Sequence, residues 1–145
     1  MTIVIEPAAP GDTAAIARLL GQSGLPLAGL DEQLATALVA RRAGELAGCV
    51  ALELYGDQAL LRSLAVAPEL RGQGLGQRLT EAALAEARGR GVRNAFLLTE
   101  TAPDFFQRFG FRPVARADLP QALHASAELR GACPESALAM KAEIG

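Results

Sequence analysis

The sequence is poor in several residue types, and each shortage excludes a class of site. Its 145 residues include no tryptophan, one histidine, two cysteines and one lysine, Lys141. Two cysteines, Cys49 and Cys133, are too few for a disulfide framework or a cysteine-rich zinc site. The lysine does not follow a glycine, so the chain has no Walker-type phosphate loop.

Long apolar runs and blocks of one charge are missing as well. No run reaches the roughly 18 apolar residues of a membrane-spanning helix, and residues 1–6 lack the charged region of a signal peptide. The formal net charge is −2 without a basic block, which argues against nucleic acid as a partner. We therefore expect a cytoplasmic protein that binds neither a membrane nor a nucleic acid.

What the chain does contain is typical of one globular domain. Hydrophobic residues make up 50 % and charged residues 21 % of the sequence, a balance that excludes a disordered chain. A length of 145 residues suits one hydrophobic core, and no linker or internal repeat divides it. We predict a single domain over residues 1–145.

Apolar alternation and turn residues predict a mixed α/β sheet. The predicted strands are Ile3–Glu6, Val39–Arg42, Leu46–Tyr55, Gln58–Val66, Asn94–Thr99, Phe111–Val114 and Ser136–Ala142. Five helices are predicted. The first begins after Asp12, and the next three span Asp31 to Leu38, Leu75 to Arg88 and Ala102 to Arg108. The fifth begins after Asp118 and ends near Leu129. Two-residue turns at Ala43-Gly44 and Gly56-Asp57 join the middle strands as hairpins, so most of the sheet should be antiparallel.

One stretch between a strand and a helix combines three glycines. Residues Arg71–Gly76 read Arg-Gly-Gln-Gly-Leu-Gly, with glycine at every second position. Without side chains, the backbone N–H groups of such a turn can approach a ligand, and the helix start behind it adds unpaired N–H groups. The stretch predicts a phosphate or pyrophosphate site. A dinucleotide fingerprint does not fit, because the required third glycine is Gln77 or Leu79 in the two possible alignments.

The pattern Arg-x-x-Gly-x-Gly, behind a strand that ends Leu-Ala-Val, resembles the acetyl-CoA loop of the GNAT family of N-acetyltransferases. A second segment, Thr101–Phe111, resembles that family's aromatic helix followed by Gly-Phe. The resemblance implies a single-domain, mixed and mostly antiparallel α/β sheet with helices on both faces and splayed central strands. It also implies acetyl-CoA as co-substrate, with no metal.

The resemblance assigns the coenzyme to particular residues. The pyrophosphate would bind the loop and helix start, namely Arg71, Gly72, Gln73, Gly74, Leu75, Gly76 and Gln77. The pantetheine arm would lie along the strand residues Leu64, Ala65 and Val66. Phe106 stands where many family members have a tyrosine beside the leaving thiolate, so a tyrosine acid is excluded there. Ordinary core packing is the alternative for the strand residues and for Phe106.

Acceptor chemistry needs a base and a binding group, and four kinds of residue are candidates. Glu53 and Glu100 are the candidate bases, with a solvated surface carboxylate as the alternative for each. Arg62 stands in an apolar strand and suits a substrate carboxylate, or else an ion pair with Glu53. The remaining substrate candidates are Ser63 and Thr99.

The later part of the chain narrows the expected acceptor. Leu119-Pro120 and the segment from Cys133 to Ala137 resemble the arsenic-resistance-associated N-acetyltransferases, and also the catalytic domain of N-acetylglutamate synthases. Both resemblances imply a small amine, an amino acid or a mimic of one. The resemblance to the GNAT family as a whole implies a homodimer. The alternatives are a protein N-terminus, a polyamine, or a catalytically silent module that binds acyl-CoA.

Overall fold

Seven strands form one sheet in the part of the chain that the computed structural model describes, residues 2–27, 29, 34–100, 102–126, 128–129 and 137–145. The strands are β1 (Ile3–Pro7), β2 (Leu38–Arg42), β3 (Glu45–Tyr55), β4 (Gln58–Val66), β5 (Asn94–Thr99), β6 (Arg112–Val114) and β7 (Leu138–Glu143). The helices are α1 (Thr13–Gln22), α2 (Leu75–Gly89) and α3 (Pro103–Gln107). Short 3-10 helices span Pro10–Asp12, Leu34–Thr36, Pro68–Leu70, Arg116–Asp118 and Gln121–Ala125.

The sheet order is β1-β2-β3-β4-β5-β7-β6, and every neighbouring pair is antiparallel except β4 and β5. Two tight turns produce this arrangement. Ala43 and Gly44 both have positive φ, at 52° and 81°, as a type I′ hairpin turn requires. Gly56 has a φ of 65° in the next turn, which places Tyr55 opposite Gln58. The predicted run of antiparallel hairpins is therefore present.

Helices cover both faces of the sheet. α2 lies on one face, where Leu79 packs in the same cluster as Val50 of β3. α1 lies on the other face, where Leu20 packs with Val39 of β2. Farther along that second face, the last 3-10 helix packs over Leu60 of β4. The predicted fold, a mixed sheet between two helical layers, is confirmed.

Two predicted helices differ from the structure. Asp31 lies outside the described residues, as do Thr101 and the predicted strand start at Ser136. Leu38, the expected end of the second helix, is the first residue of β2. The helix predicted from Asp118 through Leu129 is wrong. Leu119 and Pro120 have extended ψ angles of 140° and 142°, and proline has no N–H for a helical hydrogen bond, so two 3-10 helices form instead.

Among the described residues, no helix is long and apolar enough to cross a membrane.

Gly48 of β3 lies beneath α2, where there is no room for a side chain. A Cβ at this position would lie 2.8 Å from Leu79 Cδ1 and 3.0 Å from the Ala65 carbonyl oxygen. The oxygen belongs to the neighbouring strand, so relief requires a backbone shift. We expect Gly48→Ala to lower the free energy of unfolding by about 1–3 kcal/mol, measured by chemical denaturation.

The matched control is Gly21→Ala in α1, because nothing lies within 4 Å of a Cβ at that position. Alanine favours a helix over glycine, so this variant should be as stable as the wild type or gain up to about 1 kcal/mol. A Gly48→Ala protein that matches the control would contradict the packing described here.

Candidate active site

The two central strands separate partway along their length. β4 and β5 pair in parallel from Gln58 opposite Asn94 to Leu60 opposite Phe96, although both strands continue beyond that point. A cavity of about 500 Å³ lies where they separate, and residues 61–64 and 97–100 contribute to its lining. The predicted splay therefore opens a cavity at the centre of the sheet.

An extra residue in β4 shapes one wall of the cavity. Cys49 of β3 pairs with Ala65 and Ala51 pairs with Arg62, so β4 has one residue more than β3 between these pairs. Ser63 has a positive φ of 59°, which costs roughly 1–2 kcal/mol in a residue that is not glycine. The Cys49 thiol donates to the Ser63 carbonyl oxygen at 3.2 Å. This bulge brings Ser63 to the cavity lining.

The glycine-rich stretch connects β4 to α2 by an open turn. Gly72 and Gly74 have positive φ angles of 79° and 83°, which side chains disfavour. α2 begins at Leu75 without a side-chain cap, so the N–H groups of its first turn have no intrahelical acceptor. Backbone donors at the positive end of a helix fit a phosphate group.

The backbone of β4 beyond the bulge faces the gap between the strands. Ala67 donates its N–H to the Ala47 carbonyl of β3 at 2.8 Å. Because backbone groups alternate along a strand, those of Leu64 and Val66 point the other way, toward β5. Arg71 Nε, at the start of the glycine loop, donates to the Val66 carbonyl at 3.2 Å.

The chain after α1 contributes another side of the cavity through residues 23–26. Two arginines contact this segment. Arg71 Nη2 lies 3.4 Å from Ser23 Oγ, and Arg62 Nη2 lies 3.5 Å from the Pro26 carbonyl oxygen. The segment is therefore tied both to the glycine loop and to β4.

α3 closes the cavity with two aromatic rings. Phe105 and Phe106 both line it, and their rings pack edge to face with centroids 5.0 Å apart. Thr99 Oγ1 accepts the Ala102 N–H at 3.1 Å, which holds the end of β5 to the start of α3. A Cβ on Gly76 would lie 3.6 Å from Phe105 Cζ. The first turn of α2 therefore lies close to α3 beside the cavity.

Arg62 is a buried cation between two carboxylates. Its side chain is 1 % exposed, with Nη1 2.8 Å from Glu53 Oε2 and Nε 3.3 Å from Glu128 Oε2. Nε also lies 3.3 Å from Ser63 Oγ. The Tyr55 hydroxyl donates to Glu53 Oε1. Burial, and then the hydrogen bond and charge of Glu53, raise the pKa of Tyr55 above its ordinary value. The ion pair between Arg62 and Glu53, which the sequence offered as the alternative to a substrate role for Arg62, is therefore present.

The two predicted carboxylates occupy different places. Glu100 is exposed and lines the cavity at the end of β5. Glu53 instead contacts Arg62 and Tyr55 on the face that α1 covers. Sequence reasoning missed Glu128, which is 4 % exposed and lines the cavity. Its neighbours in sequence are alanine and leucine, as on an ordinary helix surface, so no local signal distinguishes it.

Within the described residues, no group of three or more histidine, cysteine, aspartate or glutamate side chains is placed to hold a metal ion. Cys49 is buried, and burial raises the pKa of its thiol to about 12. A protonated, inaccessible thiol is a poor nucleophile and a poor metal ligand. Cys133 lies outside the described residues.

Comparison with known proteins identifies the family. A family model described as "Acetyltransferase (GNAT) domain" matches residues 33–113, more than half of the chain. An uncharacterized N-acetyltransferase of Chlorobaculum tepidum is 34 % identical over 111 residues, which cover 74 % of this chain and 71 % of that protein. The chain belongs to the GNAT family. It is an N-acetyltransferase by that membership, and the acetyl donor of this class is acetyl-CoA.

Two longer proteins are also similar. An amino-acid acetyltransferase of Neisseria meningitidis is 29 % identical over 128 residues, covering 82 % of this chain and 29 % of that protein. The N-acetylglutamate synthase of Neisseria gonorrhoeae, solved with coenzyme A and N-acetyl-glutamate, has a TM-score of 0.85 at 25 % identity. That match covers 100 % of this chain and 36 % of the solved chain. This chain therefore spans about a third of the length of these two proteins.

The two ion pairs of Arg62 should contribute to the free energy of unfolding. Lysine keeps the positive charge but lacks the planar fork that reaches both Glu53 and Glu128. Loss of a buried charge-assisted hydrogen bond should lower the free energy of unfolding of Arg62→Lys by about 1.5–3 kcal/mol, measured by denaturant titration.

Arg90→Lys is the matched control, since Arg90 pairs with Glu86 on the surface of α2 and its side chain is 43 % exposed. Its effect should stay below about 0.5 kcal/mol. Equal stability of both variants would show that the buried pairs add nothing to the fold.

Proposed function

We propose that this protein transfers the acetyl group of acetyl-CoA to the amine of a small molecule, an amino acid or a mimic of one. The observation that carries the proposal is the cavity between β4 and β5. α3 lines it on one side, and residues 23–26 and Glu128 line it elsewhere. A thioester and an amine can thus meet in one opening, which supplies the proximity that acyl transfer needs.

The donor is assigned to the glycine loop and β4. We place the pyrophosphate on the backbone N–H groups of the loop and the first turn of α2, formed by Arg71, Gly72, Gln73, Gly74, Leu75, Gly76 and Gln77. The pantetheine arm would lie along Leu64, Ala65 and Val66, where the backbone groups of the first and last face β5. Phe106 would then pack near the thioester sulfur.

The reaction joins the acceptor nitrogen to the acetyl carbonyl carbon and breaks the C–S bond, with coenzyme A leaving as a thiolate. We assign Glu100 to accept the proton that the nitrogen loses, directly or through water, because Glu100 lines the cavity and reaches solvent. Glu53 is held by Arg62 and Tyr55, so we assign it a structural role. The Ser63 and Thr99 hydroxyls line the cavity and can orient the acceptor.

Phe106 has no proton to donate to the leaving group. A thiol has an ordinary pKa of about 8.5, so the thiolate is a stable leaving group that takes a proton from water or from the attacking amine. The same residue supports the second candidate function, a module that binds acyl-CoA without catalysis.

An amino-acid acceptor is supported by the names of the longer relatives, whose chains extend well beyond this one. The resemblance to the arsenic-resistance-associated subgroup supports a toxic amino-acid mimic, and with it a role in arsenic or toxic-compound resistance. We propose a cytoplasmic location from the cysteine content and the N-terminal sequence, and a homodimer from the resemblance to the GNAT family. Sedimentation of the purified protein tests the dimer.

A thiol-release assay with acetyl-CoA and a panel of amines tests the function. The panel contains amino acids, spermidine and a peptide with a free N-terminus. We expect the fastest release with an amino acid. Faster release with spermidine or the peptide would contradict this acceptor class. Tight coenzyme A binding without release from any amine would favour the silent module.

Gly74→Ala tests the pyrophosphate site. A Cβ at Gly74 meets no protein atom within 4 Å, so it would enter the space that we assign to the phosphates. Coenzyme A affinity should fall by about tenfold or more in calorimetry, equal to about 1.4 kcal/mol. The control is Gly91→Ala, which has nearly the same φ, 86° against 83°, at the far end of α2. Equal losses in both variants would trace the effect to backbone strain.

Phe106→Tyr tests whether the leaving thiolate needs an acid from the protein. If it does not, the turnover number should change by less than about tenfold, or about 1.4 kcal/mol in the activation barrier. Phe105→Tyr adds the same hydroxyl to the neighbouring ring and serves as control. A much larger gain in Phe106→Tyr alone would show that the native site lacks an acid it can use.

A further inference from the structure

Among the described residues that line the cavity, one carboxylate is almost completely buried. Glu128 is 4 % exposed and lines the cavity, whereas Glu100, which also lines it, is exposed. A buried carboxylate is unfavourable unless opposite charges and hydrogen bonds compensate it. A site that places one beside a cavity for an amine therefore offers a charged partner to that amine.

Glu128 is held in position by its surroundings. Its Oε2 lies 3.3 Å from Arg62 Nε, and its backbone N–H donates to Ser126 Oγ at 3.2 Å. Ser126 is itself 2 % exposed, and Arg62 is paired in turn with Glu53 of β3. The carboxylate is thereby fixed relative to β3 and β4, as a specific binding group must be.

We propose that Glu128 binds the ammonium group of the acceptor and that Arg62 is a positioning residue for it. The proposal rests on the acetyltransferase function proposed above. An aliphatic amine arrives near neutral pH mainly as an ammonium ion with three N–H donors. A carboxylate has two oxygens and several acceptor sites, so it can bind an ammonium ion while it keeps its contact with a guanidinium.

This assignment changes the role that the sequence suggested for Arg62. Its Nε and Nη1 already meet two protein carboxylates, and Nη2 lies 3.5 Å from the Pro26 carbonyl. The acceptor is therefore recognised in this part of the cavity by its positive group, through Glu128, rather than by its carboxylate through Arg62.

Glu53 provides a matched control. It contacts the same guanidinium, at 2.8 Å, but its other oxygen accepts the Tyr55 hydroxyl on the face that α1 covers. Glu53→Gln and Glu128→Gln each remove one negative charge beside Arg62, with almost no change in side-chain shape. A merely structural role for the cluster predicts similar consequences for both variants.

The test measures binding of matched acid pairs by calorimetry, with coenzyme A present, to wild type and both variants. The pairs are L-glutamate with 2-hydroxyglutarate, L-leucine with 2-hydroxyisocaproate, and L-methionine with its 2-hydroxy analogue. Each pair differs in the ammonium group. For at least one pair, wild type should prefer the amino acid by about tenfold to a hundredfold. Glu128→Gln should lose that preference, and Glu53→Gln should keep it within about threefold.

Coenzyme A affinity, measured on each protein, shows whether it is folded. If Glu128→Gln does not fold, Glu128→Asp replaces it and should reduce the preference. The proposal is overturned if wild type shows no preference in any pair, or if both glutamine variants lose it equally. Thiol release without an ammonium preference leaves the acetyltransferase function standing and removes Glu128 from it. An ammonium preference without thiol release supports the ammonium site at Glu128 and contradicts the acetyltransferase function.

Discussion

A buried guanidinium must be neutralised by nearby anions, and in this protein that constraint ties distant parts of the chain together. Arg62 takes one carboxylate from β3, in the adjacent hairpin, and one from Glu128, far along the sequence. It also contacts the segment after α1 at the Pro26 carbonyl. An unpaired charge at this depth would cost several kcal/mol, so these segments have to meet at Arg62 when the chain folds.

The chemistry of the site comes largely from the backbone around that cluster. The parting of β4 from β5 makes the cavity, the extra residue at Ser63 shapes its wall, and the left-handed glycines open the turn before α2. Acyl transfer from a thioester has a good leaving group and mainly requires two reactants held in the right geometry. A site of this kind can therefore function with few reactive side chains, in keeping with a phenylalanine at position 106.

The sequence predicted best what depends on neighbouring residues. Glycine spacing located the loop after β4, and the two-residue turns located the hairpins. Because the hairpin makes β3 and β4 neighbours, the sequence also offered an ion pair between Arg62 and Glu53 as the alternative to a substrate role for Arg62. The helix predicted after Asp118 was wrong because Leu119 and Pro120 are extended, and a 3-10 helix follows them at Gln121–Ala125. Glu128 was missed because its burial depends on a contact with Arg62, 66 positions earlier in the chain, and nothing nearby in sequence reports such a contact.

The extra residue in β4 also determines which side chains of that strand face α2 and which face α1. Leu61 packs toward α2, and so does Leu64 three residues later, a spacing that regular alternation does not allow. A regular strand of the same length, without the bulge at Ser63, would turn Leu64 and Val66 toward α1 and bring Ala65 beneath α2. The backbone groups that face β5 would be exchanged at the same time. The left-handed φ of Ser63 therefore allows Leu61 and Leu64 to share the α2 face, and deletion of this one residue would leave a regular strand with the same residues on each face.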